Sequence, residues 1–404
     1  MKSFFKQLKS KIVRSSLFVP ALKLLPESFQ HQFVTREIYN NNGSRLPAKY
    51  LRAAMSCGTR NDHLTSKNRI IIGFIPKGSD GWILQFLFCD ISQYAQRYDF
   101  IIANSIQDLS LYYFSAQEAF VVSMHQSFVQ QILNAGIPSI DVASFYTHSR
   151  IGLDLAALSL IRAVLPMNTT EATMLLLANL NPRTIRVFPA GYDSRVFNSN
   201  FSSGNKVRPI DVLFVCRYEN PENRHYYLRK NYHLLINLTK ALNQCGYKVA
   251  ILGKGWDSCC DDNFKQAFEY FNLDHKSYAS IYRSSKLLLI PSLQEGGPVS
   301  WLEAMACGCL TLSTSSGFPA ELRNGQLGSF LMPIKASVVE WVEEVSHILS
   351  LYGDPDLIDM SGREVFLKPA TFPELANVIE SIANDSPKGF NSLAWPIPEA
   401  VISA

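Results

Sequence analysis

None of the eight cysteines, Cys57, Cys89, Cys216, Cys245, Cys259, Cys260, Cys307 and Cys309, belongs to a Cys-x-x-Cys pair. Zinc sites usually draw on ligands about two to four residues apart, repeated or followed by paired histidines, so zinc chemistry is not expected. Scattered thiols in a long chain make a poor disulfide framework, and most are expected as small buried hydrophobes in a reducing cytoplasm. Long apolar runs are missing too. None reaches the roughly 20 uncharged residues needed to span a bilayer. Stretch 152–166 is apolar but short, and it carries Asp154 and Arg162. Nor is there an excess of one charge: 38 Lys and Arg against 34 Asp and Glu leave a net charge of +4. A nucleic-acid binder would carry a larger and clustered basic excess, so no nucleic-acid partner is expected.

What is present is a globular composition, 47% apolar and 18% charged over 404 residues. At about 100–200 residues per domain, two domains are expected. The start differs from the rest: Lys2, Lys6, Lys9, Lys11, Arg14 and Lys23 precede the first acid, Glu27. Phe4, Leu8 and Ile12 recur at helical spacing, so a helix over residues 1–26 would be amphipathic and basic. Three readings stay open for it: peripheral contact with an anionic membrane surface, a helix docked on the body, or a targeting segment. Residues 40–68 are polar and rich in turn formers, so 1–68 is read as an extension and linker.

From residue 69 the chain alternates. Strands are predicted at 69–75, 100–103, 119–123 and 140–143, with a helix over 82–97 and helix-like segments between the later strands. A Ser- and Asn-rich stretch near 198–209 marks a boundary, giving domains 69–200 and 201–385 and a tail at 386–404. In the second half, strands are predicted at 211–216, 248–252, 286–291 and 309–313. Helices are predicted at 232–245, 278–284, 299–306 and 337–350. This grammar specifies two doubly wound α/β domains, whose default ligand site is the cleft beyond the strand ends.

The most informative segment is Pro291-Ser292-Leu293-Gln294-Glu295-Gly296-Gly297-Pro298-Val299-Ser300-Trp301-Leu302-Glu303. It reads as a buried strand, a glycine turn, and a helix with Pro298 at its first position, where a missing N–H costs nothing. The N–H groups of Gly297, Val299 and Ser300 at the helix start then form an anion site. Carboxylates beside such a site, Glu295 and Glu303, suit sugar hydroxyls.

Glu295 and Glu303 bracket seven residues and resemble the E-x7-E motif of retaining GT-B glycosyltransferases of family 4. The continuation Glu303-Ala304-Met305-Ala306-Cys307-Gly308 is similar to that family. So are Phe318-Pro319-Ala320-Glu321-Leu322 with Gly325 and Gly328, and Val187-Phe188-Pro189-Ala190-Gly191-Tyr192-Asp193 upstream. The resemblance covers about 186–332 and thins over the first domain. It implies a GT-B fold and transfer of a sugar, with retention, from a nucleotide diphosphate sugar to a hydroxyl of a glycan or lipid-linked acceptor. It implies that Glu295 holds donor-sugar hydroxyls and Glu303 the ribose hydroxyls, while the backbone at Gly296, Gly297, Pro298 and Val299 meets sugar and diphosphate. Arg217 and Lys230 match the cations that neutralise the leaving diphosphate. Twelve residues separate that pair, more than the family has, and the extra loop also offers Arg224 and Arg229 in place of Lys230.

Gly253 and Lys254, in Leu252-Gly253-Lys254-Gly255, are either a plain strand-end turn or a loop on the nucleotide. The resemblance calls for one histidine near the reacting sugar: His148 fits it, with His125 as rival. The loop 77–81 is expected to face the acceptor. Asp354-Pro355-Asp356 spells a metal motif but reads as a turn and helix start, so neither a metal nor another cofactor is expected. Two other readings are carried: a sugar-nucleotide 2-epimerase, and a non-catalytic scaffold in a glycan-assembly complex.

Overall fold

The computed structural model describes residues 69–77, 83–147, 154–199, 208–218, 224–259, 261–352, 360 and 362–384. The expectations for 1–68, 78–81, His148, Asp354-Pro355-Asp356 and 386–404 lie outside the described residues. The chain forms two compact units. Among the described residues, the first holds the chain up to Leu165, Ala178–Ile185 and the residues from Ala376 on, and the second holds Pro166–Leu177 and Arg186–Leu375.

In the first unit, β1 (Arg69–Phe74), α1 (Ile83–Ser92), β2 (Asp99–Ala103), α2 (Ile106–Ser115), β3 (Glu118–Ser123), α3 (Val129–Asn134), β4 (Val142–Tyr146), α4 (Leu155–Leu160) and β5 (Ala163–Pro166) alternate. The sheet order is β2-β1-β3-β4-β5. β1 pairs in parallel with both neighbours, with Ile71 opposite Phe100 and Phe120. Its run from Ile70 to Phe74 is buried throughout, as a parallel strand covered on both faces requires.

Two expectations shift here. The predicted helix over 82–97 ends at Ser92, because the chain then turns and gives the N–H groups of Gln96, Arg97 and Tyr98 to Glu380 Oε1 at 2.9, 2.7 and 3.0 Å. The strand predicted at 140–143 starts later, at Val142. Pro138 and the 3₁₀ turn Ser139–Asp141, closed by Asp141 N–H on the Pro138 carbonyl at 2.9 Å, occupy the expected start.

The second unit holds α5 (Thr169–Leu177), β6 (Ile210–Val215), α6 (Arg224–Arg229), α7 (Tyr232–Gln244), β7 (Val249–Leu252), α8 (Asp262–Lys265), β8 (Glu269–Phe271), α9 (Tyr278–Ser284), β9 (Ser285–Ile290), α10 (Val299–Ala306), β10 (Leu310–Thr314), β11 (Ser329–Met332), α11 (Val338–Leu351) and α12 (Arg363–Leu367); α13 (Phe372–Asn384) follows and belongs to the first unit from Ala376 on. The sheet order is β11-β10-β9-β6-β7-β8, with parallel pairs. Val212, Phe214, Ile251, Leu289 and Leu312 from the strands pack with Tyr232, Leu235, Leu238, Trp341, Val345 and Ile348 from α7 and α11 in one core. The strand order reverses between β6 and β9, and a doubly wound sheet binds its ligand at that point.

Glu380 on α13 is 1% exposed, and its Oε2 also takes Arg97 Nε at 3.2 Å. Removing that carboxylate strands three backbone donors, one of them on buried Tyr98. Glu380→Ala is expected to lower the stability of the first unit by about 3 kcal/mol. Urea unfolding followed by fluorescence checks this; a loss below about 1 kcal/mol contradicts the assignment.

Candidate active site

The C-terminal ends of the adjacent strands β9, β6 and β7 bring together most of the residues singled out from the sequence. Arg217 leaves β6 and Gly253 and Lys254 leave β7, with both cations at exposed positions. Gly253 has φ 146°, and a Cβ there would lie 2.2 Å from the Cys216 carbonyl oxygen, so the turn requires glycine. The two strand ends are clasped: Tyr218 N–H donates to Lys254 O at 2.7 Å, and Trp256 Nε1 donates to Cys216 O at 2.8 Å. Tyr232 donates its hydroxyl to the Arg217 carbonyl.

Glu295 follows β9 and is 8% exposed. Lys230 Nζ lies 2.5 Å from its Oε1, and Arg229 Nη1 lies 3.4 Å from its Oε2. Burial alone would raise the Glu295 pKa. The charges of Lys230 and Arg229, with hydrogen bonds from Lys230 and Ser292, outweigh it and hold the carboxyl at about 2. Ser316 Oγ accepts the Glu295 N–H at 2.9 Å. Sequence reasoning named Lys230 first and Arg229 as its substitute; the structure sets both on the same carboxylate.

The turn after Glu295 is held from a distant part of the chain. Asn168 Nδ2 donates to the Gly296 carbonyl at 2.7 Å, and Phe318 N–H donates to the same oxygen at 3.1 Å. A Cβ on Gly297 would sit 3.2 Å from that of Ala190. Pro298 is the N-cap of α10, with ψ 109°, and not the first helical residue, while the helix itself spans the predicted 299–306. The first bond of its ladder runs from Trp301 N–H to Pro298 O at 2.9 Å, which places the Val299 and Ser300 N–H groups ahead of the ladder. A helix start of this kind favours an anion.

Glu303 is the fifth residue of α10, about one turn in, and is 2% exposed. Its Oε2 accepts the Tyr282 hydroxyl at 2.9 Å, and its Oε1 lies 2.6 Å from His275 Nε2. The His275 ring packs against Phe197 and Tyr278, each with a centroid separation of 5.4 Å. His275, Tyr282 and Asn168 were missed from the sequence; a helix pattern through Tyr278 and Tyr282 was the only trace of one of them. His125, the rival histidine, caps a 3₁₀ turn: its Nδ1 accepts Ser127 N–H at 3.2 Å and pairs with Ser127 Oγ at 2.7 Å. Burial lowers its pKa to about 4, which describes a neutral histidine serving the core. Among the described residues no group of three or more His, Cys, Asp or Glu could hold a metal ion. No described helix is long and apolar enough to cross a membrane.

Comparison with known proteins bears on the fold. Residues 209–351, which lie within the second unit, match the family model described as Glycosyl transferases group 1. Among solved structures, the chain is similar to sucrose-phosphate synthase from Thermosynechococcus elongatus (TM-score 0.58, 14% identity, 78% of this chain and 98% of that one). It is also similar to a lipopolysaccharide outer core galactosyltransferase, WaaB (TM-score 0.55, 13% identity, 78% and 98%). A third similar structure is Anabaena HepE in complex with UDP and glucose (TM-score 0.54, 15% identity, 78% and 100%). At such identities the likeness concerns the fold, and the fold is GT-B. No curated protein matches the sequence.

One buried acid beside the turn has no counterpart among the expected site residues. Glu171 on α5 is 6% exposed; its Oε2 accepts Met167 N–H at 3.0 Å, and its N–H donates to Asn168 Oδ1 at 2.7 Å. Its Oε1 is buried without a partner. Burial, with the nearby charge of Glu321, pushes its pKa up to about 8, although the Met167 N–H opposes this, so it is a neutral acid at pH 7. The folded state therefore holds a proton that the unfolded chain has already released above its ordinary value of 4.5. The stability from this group is fully present below 4.5 and is lost as pH rises toward 8. Glu171→Gln removes that loss, so the variant is expected to gain on the parent as pH rises from 5 to 8, by up to about 1.4 kcal/mol per pH unit. Unfolding midpoints of both proteins across that range check it; a constant difference contradicts it.

Proposed function

We propose that this protein is a retaining hexosyltransferase of family 4 type, moving a sugar from a nucleotide diphosphate sugar to an acceptor hydroxyl. The observation that carries the reading is the ionised Glu295 between Lys230 and Arg229, eight positions ahead of buried Glu303, within the matched domain. In this reading Glu295 accepts hydroxyls of the donor sugar. Arg217 and Lys230 neutralise the diphosphate as the glycosidic bond breaks, and the start of α10 faces its phosphates. Gly253 and Lys254 border the nucleotide. Glu303 binds the ribose diol, with His275 giving way or joining it; the role of the histidine for the reacting sugar is assigned to His148 on the family resemblance alone. These groups stabilise growing negative charge on the leaving group, which is how a preorganised site accelerates such a step without a metal.

UDP is bound in Anabaena HepE, and a uridine nucleotide is therefore the first donor class to test here. The acceptor is proposed to be a lipid-linked or cell-envelope glycan, with residues 1–26 touching the inner face of a membrane. The first experiment is thermal stabilisation of the full chain by UDP, GDP, ADP and CMP, with and without EDTA. One nucleotide at 100 times its dissociation constant is expected to add about 2.7 kcal/mol, regardless of EDTA. No shift with any of them contradicts the donor site and favours the scaffold reading. With the donor class known, Glu295→Ala is expected to lower kcat/KM by about a hundredfold in a protein that still folds by circular dichroism, although its thermal midpoint falls because Lys230 and Arg229 lose their carboxylate. Unchanged turnover in that variant rules out the role given to Glu295.

A further inference from the structure

Two cations on one buried carboxylate are more than a simple ion pair requires. Lys230 and Arg229 differ in how they are held. The Arg229 carbonyl accepts Leu293 N–H at 2.8 Å, and its Nη1 donates to Gln294 O at 3.2 Å as well as facing Glu295 Oε2 at 3.4 Å. Asn231, in the left-handed region at φ 56°, donates Nδ2 to Pro291 O at 3.2 Å. The backbone of 229–231 is thus pinned along the exit of β9, and the Arg229 guanidinium is pinned with it. Lys230 reaches the same carboxylate through a flexible stem ending at Oε1. The remaining groups around Glu295 are the hydroxyls of Ser292 and Ser316 and the thiol of Cys216, which burial pushes up to about 12 and keeps neutral.

We propose, resting on the function proposed above, that Arg229 is a positioning residue: it stays on Glu295 and so releases Lys230 for the donor diphosphate. With one cation alone, moving Lys230 to the phosphates would leave a buried carboxylate without a partner, which is strongly unfavourable. With Arg229 fixed on Oε2, the carboxylate keeps a charged neighbour and stays aimed at the sugar, and Lys230 exchanges one anion for another. The short helix α6, which ends at Arg229, is then the feature that supplies this second cation.

The test is a double-mutant cycle on UDP affinity by calorimetry, with GDP and ADP as parallel probes, and the same variants titrated from pH 2 to 6 by unfolding. Arg229→Gln is expected to weaken nucleotide binding about tenfold, and to have little further effect in a Lys230→Gln background, because both act through Lys230. Simple addition of the two effects would mean that Arg229 contacts phosphate on its own, and overturns the positioning role. Independently of any ligand, Glu295 contributes stability that is present above its ordinary pKa and lost as pH falls toward 2; in Arg229→Gln that loss is expected at higher pH. An unmoved profile overturns the proposal. Arg229→Lys keeps the charge and serves if the Gln variant fails to fold: it loses the fork to Gln294 O and is expected to bind several-fold more weakly, and parental affinity in it counts against the proposal. A parent chain that binds none of the three nucleotides overturns the donor reading and this inference with it. Binding by the parent with no change in the variants overturns this inference alone.

Discussion

A carboxylate removed from water at the end of a strand stays ionised only if cations are brought to it. That requirement, at Glu295, organises the second unit. The cations come from the segment after β6, and the carboxylate comes from the end of β9. They meet because these strands are neighbours across the point where the strand order reverses. A doubly wound sheet leaves its crossover connections diverging there, which opens room at the strand ends for a ligand. The clasp between Cys216–Tyr218 and Gly253–Trp256 closes the adjoining edge, and it works only because Gly253 has no side chain to strike the Cys216 carbonyl.

The same logic governs the two ends of α10. Its C-terminal side is finished by buried arginines: Arg363 Nη1 donates to Met305 O and Cys309 O, both at 3.1 Å, and Arg208 Nη2 donates to Cys307 O at 3.0 Å. Positive groups there complement the negative end of the helix dipole and satisfy carbonyls that the helix leaves open. A Cβ on Gly308 would lie 2.9 Å from Arg208 Nη2, which gives the glycine after the helix a packing reason as well as a conformational one. With its C-terminal carbonyls met by these arginines, α10 differs at its two ends, since no side chain caps its N-terminus at Pro298.

The strands of the second half were legible because each is a short apolar run bounded by turn residues, and β6, β7, β9 and β10 lie within one residue of their expected limits at either end. β5, β8 and β11 were not foreseen. They have only four, three and four residues, and as outermost strands they need just one partner, so little periodicity marks them. Glu295 and Glu303 were legible through their spacing and flanking motifs. The partners of Glu303 were not, since His275 and Tyr282 reach it from 28 and 21 residues away, and spacing along a chain does not report such contacts. The limits of α10 were legible, but Pro298 was given the first helical position that proline favours, and its ψ of 109° sets it just outside the helix as the N-cap.

Asn168 shows how far the site depends on sequence outside its motif. A glycine-rich turn is free to adopt many conformations, and the motif alone does not select one. The selection comes from its Gly296 carbonyl, which takes one donor from Asn168 and one from Phe318. Gly317, at φ 67°, lets the second of these approach, since a Cβ there would stand 2.6 Å from that same oxygen. Asn168 is in turn oriented by the Glu171 N–H on its Oδ1, and Glu321 accepts the next N–H, from Thr169, at 2.5 Å. The turn after Glu295 is therefore shaped by Pro166–Leu177, a segment that precedes the matched residues in sequence yet belongs to the same compact unit. The matched domain alone, without Pro166–Leu177, lacks one of the two donors that fix the turn's carbonyl.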